Sequence, residues 1–302
     1  MTELRPISIS DKEVIAKRLR AENSRSADYN FGNLVMWDSR FRKHITVVGD
    51  RLIIHAQSSK YPRVKCPFFL FPAGSGALQP AIDCMKEYAD RKGCAFIMRG
   101  ITEEQRALLE EEFPARFEFS ETRDSFDYIY LAEKISTFAG QKLHSKRNFC
   151  NRFQKNYAWD FVRLTPDLIP GCLELFDKWV LNTDASADGM SDEYNAITIG
   201  FQNWDVLDLE GGVLRVDGEI IGFAVGERAS DDTFVVHFEK ALNAYSGAYP
   251  MVCREFAKQI MHDHPDIVYI NREDDMGLEN LRKAKMDCYP EYLLKKYTAK
   301  EK

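Results

Sequence analysis

The sequence predicts a mixed α/β fold, with β-sheets covered by helices and arranged in two similar halves. Segments of strand length alternate with segments of helical periodicity along the 302 residues. Two predicted hairpin turns, at Gly49-Asp50 and at Asp217-Gly218, each open a similar order of elements. The chain is also long for a single core, because domains usually hold about 100–200 residues. A two-domain α/β architecture follows from these observations.

The first half begins with an amphipathic pattern that predicts a helix over residues 11–21, with Ser10 or Asp11 as its N-cap. Gly49 and Asp50 separate two β-rich runs, 44–48 and 51–56, and favour a tight turn between them. The other predicted elements of this half are helices at 30–37, 77–91 and 103–112 and strands at 44–48, 51–56, 94–98, 116–119 and 126–131.

The second half repeats the order of the first, which indicates two copies of one fold rather than coincidence among common α/β units. Pro250 suits the first turn of a helix. The predicted elements are strands at 212–216, 219–226, 233–239, 267–270 and 291–297 and helices at 250–263 and 278–285. We place the first domain at 1–135, a connector at 136–158 and the second domain at 159–302.

Composition is typical of an ordinary globular protein, with 45% apolar and 29% charged residues. The net charge of −6 argues against indiscriminate nucleic-acid binding but leaves room for a local basic patch. No apolar run approaches the roughly 18–20 residues of a membrane helix. The N-terminus lacks the apolar core of a signal peptide. Seven cysteines without a C-x-x-C pair favour reduced thiols, no metal site and a cytoplasmic location.

The connector is strongly basic, because residues 134–159 contain six Lys or Arg residues and no acid. Read as a helix, it places Leu143, Cys150, Phe153 and Tyr157 on one stripe. Two interpretations stay open: a solvated helix face, or a site for the phosphates of a tRNA acceptor stem, a nucleotide or a lipid headgroup. The residues that would make the anion-binding surface are Lys142, His144, Lys146, Arg147, Arg152 and Lys155, of which His144 alone is more often structural.

Several segments, in order along the chain, resemble one bacterial family. They are DYNFGNLVMW, FDYIY, KLHSKRNFCNRFQKNY, HFEKA, SGAYPMVCREFA and INREDDMGLENLRKAKMDCYP. The family consists of uncharacterised proteins grouped with the C-terminal catalytic domain of phosphatidylglycerol lysyltransferases. The resemblance implies two tandem GNAT-like acyltransferase domains, a fold shared with the Fem peptidoglycan aminoacyltransferases.

What the resemblance implies about function is transfer of an aminoacyl group from aminoacyl-tRNA, with no other cofactor. Because the donor ester is already activated, such an enzyme needs positioning, charge stabilisation and a proton path. The lysyltransferases carry this domain behind transmembrane helices that are missing from this sequence. The acceptor is therefore open between a lipid headgroup, a peptide and a small molecule.

The resemblance also directs attention to residues near the predicted ends of two strands. Glu239 is the first candidate for a general base or amine binder, and His237, on the same strand face, is the second. Lys285, five residues before Pro290, matches a cleft lysine of the lysyltransferases, with stabilisation of an oxyanion as its expected role. Its alternative is an ordinary exposed helix lysine. Arg282 and Lys283 lie beside it.

A second polar cluster follows the strand predicted at 267–270, where ligands of α/β sheets tend to bind. Arg272 suits a carboxylate or phosphate, and Glu273 or Asp274 suits a substrate ammonium. Asn271 begins this cluster. The alternative is a loop that caps the following helix.

Two other functions remain as alternatives. Acyl-CoA-dependent GNAT enzymes carry an [RQ]-x-x-G-x-[GA] loop that offers backbone N–H groups to pyrophosphate. The corresponding stretch, residues 240–250, contains one glycine and no such match, so CoA is the second choice of donor. The third possibility is a non-catalytic protein that binds a small amino-acid-like ligand.

Overall fold

The structure is a computed structural model that describes residues 3–57, 67–181 and 187–302, without the side chains of 187–190. Cys66 lies outside the described residues. The elements, in chain order, are β1 (Arg5–Pro6), α1 (Lys12–Glu22), α2 (Phe31–Met36), α3 (Asp38–Phe41), β2 (His44–Val48), β3 (Arg51–Ala56), β4 (Phe68–Phe69), β5 (Ala73–Gly74), α4 (Gln79–Arg91), β6 (Ile97–Ile101), α5 (Glu103–Glu112), β7 (Phe117–Glu121), β8 (Asp127–Leu131), α6 (Ala132–Thr137), α7 (His144–Asn156), β9 (Trp159–Arg163), α8 (Ile169–Leu181), α9 (Ala187–Gln202), β10 (Glu210–Val216), β11 (Glu219–Arg228), β12 (Thr233–Ala241), α10 (Ala248–Asp263), β13 (Tyr269–Asn271), α11 (Glu279–Met286), β14 (Tyr292–Leu294) and β15 (Tyr297–Glu301).

The described residues form two compact units, each with a mixed sheet and helices, which confirms the predicted fold class. The first unit comprises Met1–Asp127, Asp274–Gly277 and Leu294–Lys302. The second comprises Tyr128–Glu273 and Leu278–Leu293.

The sheet of the first unit has the strand order β1-β2-β3-β4-β6-β15-β7, with β5 paired to β3. Its β2–β3 hairpin has the predicted bounds, and Gly49 takes the left-handed φ of 58° that the turn requires. Helix α4 buries Ile82, Met85 and Ala89 at three- and four-residue steps, as its periodicity predicted. Asp11 is the N-cap residue of α1, one of the two predicted, although its side chain makes no capping hydrogen bond to this helix. It forms a capping box with Ser8 at the 3-10 turn that precedes α1.

The C-terminal strand corrects the predicted domain plan. The sequence predicted one strand over 291–297, at the end of a domain spanning 159–302. The structure has two strands there: β14 belongs to the second sheet, whereas β15 pairs antiparallel with β6 and β7 of the first sheet. A local apolar pattern does not specify which sheet a strand joins.

A buried ion cluster holds the chain where it enters β15. The Lys296 ammonium lies 2.8 Å from carboxylate oxygens of both Asp127 and Asp28, and only 2% of the lysine side chain is exposed. Burial disfavours this charge, but the two carboxylates outweigh burial and raise the pKa of Lys296. Lys296 therefore stays charged and fixes the start of the last strand.

The sheet of the second unit has the order β14-β8-β13-β12-β11-β10-β9. Strand β9 and helices α8 and α9 were not predicted. Helix α10 packs on the sheet through Met251, Val252, Phe256 and Ile260, which are all buried.

Helix α7 occupies most of the basic connector. It begins at His144, three residues later than the helix expected from residue 141. Leu143, Cys150 and Phe153 are buried in the core of the second unit, and Tyr157 packs against it. The predicted apolar stripe is confirmed. Burial of a side chain as large as Phe153 contributes about 1.5–3 kcal/mol, which anchors this helix to the unit.

Candidate functional site

The candidate site lies in the second unit, where β12 and β13 diverge. The two strands are parallel and pair only as far as Val235 opposite Asn271. Strand β12 then continues to Ala241, and no described strand pairs with that stretch on the β13 side. Polar residues from the end of one strand and from the turn after the other therefore come together at one edge.

Glu239 and Arg272 form an ion pair at this edge. The Arg272 Nη2 atom lies 3.0 Å from Glu239 Oε1, with side chains that are 16% and 12% exposed. The pair is thus largely shielded from water, where charge interactions are stronger than at a surface. Among the described residues, no hydrogen bond engages Glu239 Oε2. That oxygen can accept a proton or a hydrogen bond from a ligand.

Lys285 is not an ordinary exposed lysine, which was the alternative interpretation. Its ammonium donates to the Arg272 carbonyl oxygen at 2.6 Å and lies over the Tyr128 ring, 5.7 Å from the centroid. The Lys285 carbonyl accepts from the Tyr130 hydroxyl at 2.8 Å. Arg272 therefore contacts two other predicted residues: its guanidinium pairs with the Glu239 carboxylate, and its backbone carbonyl accepts from the Lys285 ammonium.

His237 forms a second network beside this cluster. Its Nδ1 atom is 2.7 Å from Glu273 Oε1 and its Nε2 atom is 3.0 Å from Glu227 Oε1, and its side chain is fully buried. Burial lowers the pKa of His237, but the hydrogen bonds to Glu227 and Glu273 outweigh burial and raise it to about 9. An imidazolium has no lone pair for a proton, so the geometry does not suit His237 to the general-base role considered from sequence.

Glu227 is a member of this network that sequence reasoning missed. It lies on β11, in a run of seven buried residues that ends just before Arg228. An acid within such a buried run was the available signal, because a buried carboxylate needs a partner.

The turn after β13 is fixed by its own hydrogen bonds. Asn271 is fully buried, and its Oδ1 accepts from the Glu273 N–H at 2.7 Å. Glu273 has a φ of 57°, an unusual value for a residue with a side chain. Asn271 thus shapes the turn. Asp274 belongs to the first unit and accepts from the Met276 N–H at 3.2 Å.

The remaining predicted substrate residues lie on α11 with Lys285. Arg282 is half-buried, whereas Lys283 is exposed. In the described part of the chain, the Lys283 side chain makes no hydrogen bond or ion pair. The structure does not bring Lys283 into the Glu239 cluster.

An aromatic cluster beside Glu239 was also not predicted. The Lys240 ammonium lies 2.8 Å from Glu193 Oε1 and 3.8 Å from the centroid of the Trp179 ring. Trp179 donates to the Tyr249 hydroxyl at 2.5 Å, and burial raises the pKa of Tyr249 to about 12. Carboxylate and aromatic rings together suit an ammonium group, and here Lys240 itself provides it.

The basic residues of α7 and its N-terminal flank divide into two groups. Arg147 donates to the carbonyl oxygens of Phe138 and Gly140, so its role is to hold the preceding loop. His144 contacts the Asn148 amide at 3.3 Å. Within the described ranges, four cations form no ion pair: Lys142, Lys146, Arg152 and Lys155. Among the described residues, this surface therefore carries four positive charges without an acidic partner.

The N-terminus of α10 is closed by α7. A Cβ atom at Gly247 would lie 2.7 Å from the Phe149 carbonyl oxygen, and Gly247 has a φ of 94°. The Ala248 N–H donates to the Tyr245 carbonyl, and Pro250 has no N–H to offer. This helix start therefore lacks several of the donors that an anion-binding helix N-terminus uses.

Two features of the structure bear on cofactors and membranes. Among the described residues, no group of His, Cys, Asp and Glu side chains has the arrangement of a metal site. No helix in the described ranges has both the length and the apolar character for a membrane span. The cysteines at 84, 94, 150, 172, 253 and 288 are free thiols.

Comparison with known proteins relates the chain to one family and to several solved structures. An uncharacterised protein of Mycoplasmoides gallisepticum is 26% identical over 182 residues, which is 58% of this chain and 56% of that protein. The chain thus spans little more than half the length of this curated relative. A conserved protein of unknown function from Bacteroides thetaiotaomicron is 34% identical, with a TM-score of 0.92 and 100% coverage of both chains.

Two more distant structures share the fold. The L-PGS of Bacillus licheniformis is 15% identical, with a TM-score of 0.65 over 98% of this chain and 92% of that one. FemX is 10% identical, with a TM-score of 0.63 over 98% and 96%. They confirm the predicted tandem GNAT-like fold. The family described as "phosphatidylglycerol lysyltransferase, C-terminal" matches residues 20–300. On that match the chain belongs to the phosphatidylglycerol lysyltransferase C-terminal family, as its sequence motifs predicted.

Proposed function

We propose that this protein transfers an aminoacyl group from aminoacyl-tRNA to an acceptor that is a lipid headgroup, a peptide or a small molecule. The observation that carries the proposal is the cluster of Glu239, Arg272 and Lys285 where β12 and β13 diverge. Membership of the lysyltransferase family and the shared fold support the same reaction class.

In the proposed reaction, a nucleophilic atom of the acceptor attacks the ester carbonyl carbon of the aminoacyl-tRNA. The free Oε2 of Glu239 accepts the proton of the nucleophile. Negative charge develops on the carbonyl oxygen, and the cations of Lys285 and Arg272 stabilise it. The bond to the ribose oxygen then breaks, and Glu239 returns the proton to that oxygen, so the tRNA leaves with a neutral ribose hydroxyl and the carboxylate is regenerated. No covalent intermediate with the protein is needed.

Acyl-CoA is a weaker choice of donor for a structural reason. GNAT enzymes of that type bind pyrophosphate at a helix start, and the matching helix start here is α10. The Phe149 carbonyl approaches Gly247, and Pro250 removes one N–H group. A carbonyl oxygen at this position repels a pyrophosphate rather than binding it.

The test is consumption of charged tRNA by the purified protein, with one labelled amino acid at a time. Acceptors would be supplied as phosphatidylglycerol vesicles, peptidoglycan precursors and a metabolite extract. We expect label to move to one acceptor class, and Glu239→Gln or Lys285→Met to slow transfer by about 100-fold or more. Lys283→Met, on the same helix but exposed, is the matched control and is expected to transfer normally.

Three outcomes would contradict the proposal. If the double variant Glu239→Gln/Lys285→Met transfers at the normal rate, the assignment of these residues to the site is wrong, although the reaction class stands. If no charged tRNA loses its amino acid but the protein transfers acetyl groups from acetyl-CoA, the protein is an acyl-CoA-dependent acyltransferase. Inactivity with all donors, together with saturable binding of a free amino acid, would select a non-catalytic ligand-binding protein.

A further inference from the structure

We propose that the outer face of α7 binds unpaired nucleotides, in the form of a single-stranded 3′ end of RNA. The inference rests on the proposed use of aminoacyl-tRNA and adds which part of the RNA this surface takes. Its evidence is a stacking surface, a set of neutral hydrogen-bonding side chains and a surplus of positive charge, all on one helix face.

The face contains an open depression of about 670 Å³. The described side chains that line it include no acid. They are His144, Ser145, Asn148, Phe149, Asn151, Arg152 and Lys155. Three- and four-residue spacing places most of them side by side along the helix. A depression of this composition is polar and cationic rather than a simple apolar groove.

Phe149 and Arg152 provide the stacking surface. The Arg152 guanidinium carbon lies 4.7 Å from the centroid of the Phe149 ring, and the ring is half-buried. The Phe149 backbone packs against Gly247 at the start of α10, which fixes the position from which the ring projects. An aromatic ring and a guanidinium plane are two side-chain surfaces on which exposed nucleobases stack.

Neutral side chains beside this stack can contact base edges and ribose hydroxyls. Asn148 and Asn151 each offer an amide donor and acceptor, and Ser145 offers a hydroxyl. Lys155, which has no acidic partner among the described residues, lies one turn beyond Arg152 and suits a phosphate. A paired RNA stem hides its base faces, so it would use the cations but not Phe149.

The experiment measures binding of the whole protein to two fluorescent RNA hairpins that differ only in an unpaired 3′ tail. We expect the tailed hairpin to bind at least about 5-fold more tightly, since stacking on an aromatic side chain contributes that much per base. Phe149→Leu keeps an apolar side chain in the depression and is expected to remove the advantage of the tail without weakening binding of the blunt hairpin. Arg152→Gln is expected to weaken binding of both hairpins and to remove the difference in affinity between them.

Arg20→Gln, an exposed arginine of the first unit, is the matched control for loss of one charge and is expected to bind like the wild type. Equal affinity for the two hairpins, with no effect of Phe149→Leu, would overturn the inference. Displacement of the tailed hairpin by millimolar CoA would also overturn it and would assign the surface to the nucleotide part of CoA. Neither result affects the transfer assay with charged tRNA, so failure of this inference is distinguishable from failure of the proposed function.

Discussion

Replacing His237 by glutamine tests whether a buried imidazolium holds the site turn together. In the folded protein the pKa of His237 is about 9, compared with an ordinary value of 6.5. A difference of about 2.5 units, at 1.36 kcal/mol for each unit, corresponds to about 3 kcal/mol of stability. The side chain is fully buried, so solvent does not screen this contribution.

The direction of the pH dependence follows from the raised pKa. The stabilisation is fully present below pH 6.5, where histidine is protonated in the folded and the unfolded chain. It decreases as the pH rises above 6.5 and is lost as the pH passes about 9, because the folded protein then releases the proton as well. Stability of the wild type therefore falls relative to His237→Gln across this window.

The assay is urea unfolding of both proteins at a series of pH values, followed by tryptophan fluorescence. Three of the four tryptophans, Trp159, Trp179 and Trp204, lie in the same unit as His237. Glu227→Gln is a useful control, because loss of one carboxylate is expected to move the decline to lower pH. A difference between wild type and His237→Gln that stays constant across the window would refute the assignment of an imidazolium with a raised pKa.

Other parts of the structure give three further predictions. Gly247→Ala places a Cβ against the Phe149 carbonyl at a left-handed φ, and we expect the free energy of unfolding to fall by about 1–3 kcal/mol; an unchanged denaturation midpoint would contradict this packing. Lys296→Met leaves Asp127 buried without its cation, and urea unfolding is expected to show a loss of about 3–5 kcal/mol. Adding Asp127→Asn is expected to restore part of that stability, and simple addition of the two losses would argue against the pair. Arg147→Ala removes two hydrogen bonds to backbone carbonyls, so thermal stability is expected to fall while RNA affinity stays the same; the opposite pattern would show that Arg147 binds RNA.

Local patterns predicted most elements of both sheets, because turns and amphipathic faces are encoded by neighbouring residues. The β2–β3 hairpin has the predicted bounds. Strand β6 was placed three residues too early, since its apolar residues continue from the preceding loop. The sequence did not predict which sheet the last strand joins, because its partners, β6 and β7, are distant in sequence.

The candidate site was predicted less completely than the fold. Glu239, Arg272 and Lys285 were chosen from strand ends and from a family resemblance, and the structure brings them together. The charge on His237 could not be predicted, because it depends on carboxylates 10 and 36 residues away along the chain. The structural use of Arg147 was also hidden, since its acceptors are backbone carbonyls that any residue provides.

The position of β15 between β6 and β7 has a consequence for protein synthesis. A ribosome makes β6 and β7 early, yet these strands have no direct pairing with each other in the finished sheet. Their shared partner emerges only after every strand of the second sheet. While the chain is nascent, the backbone donors and acceptors of β6 and β7 that face this gap stay exposed to water or to chaperones. Closure of the first sheet therefore has to wait for synthesis of the whole second sheet, even though most strands of the first sheet precede the second sheet in the chain.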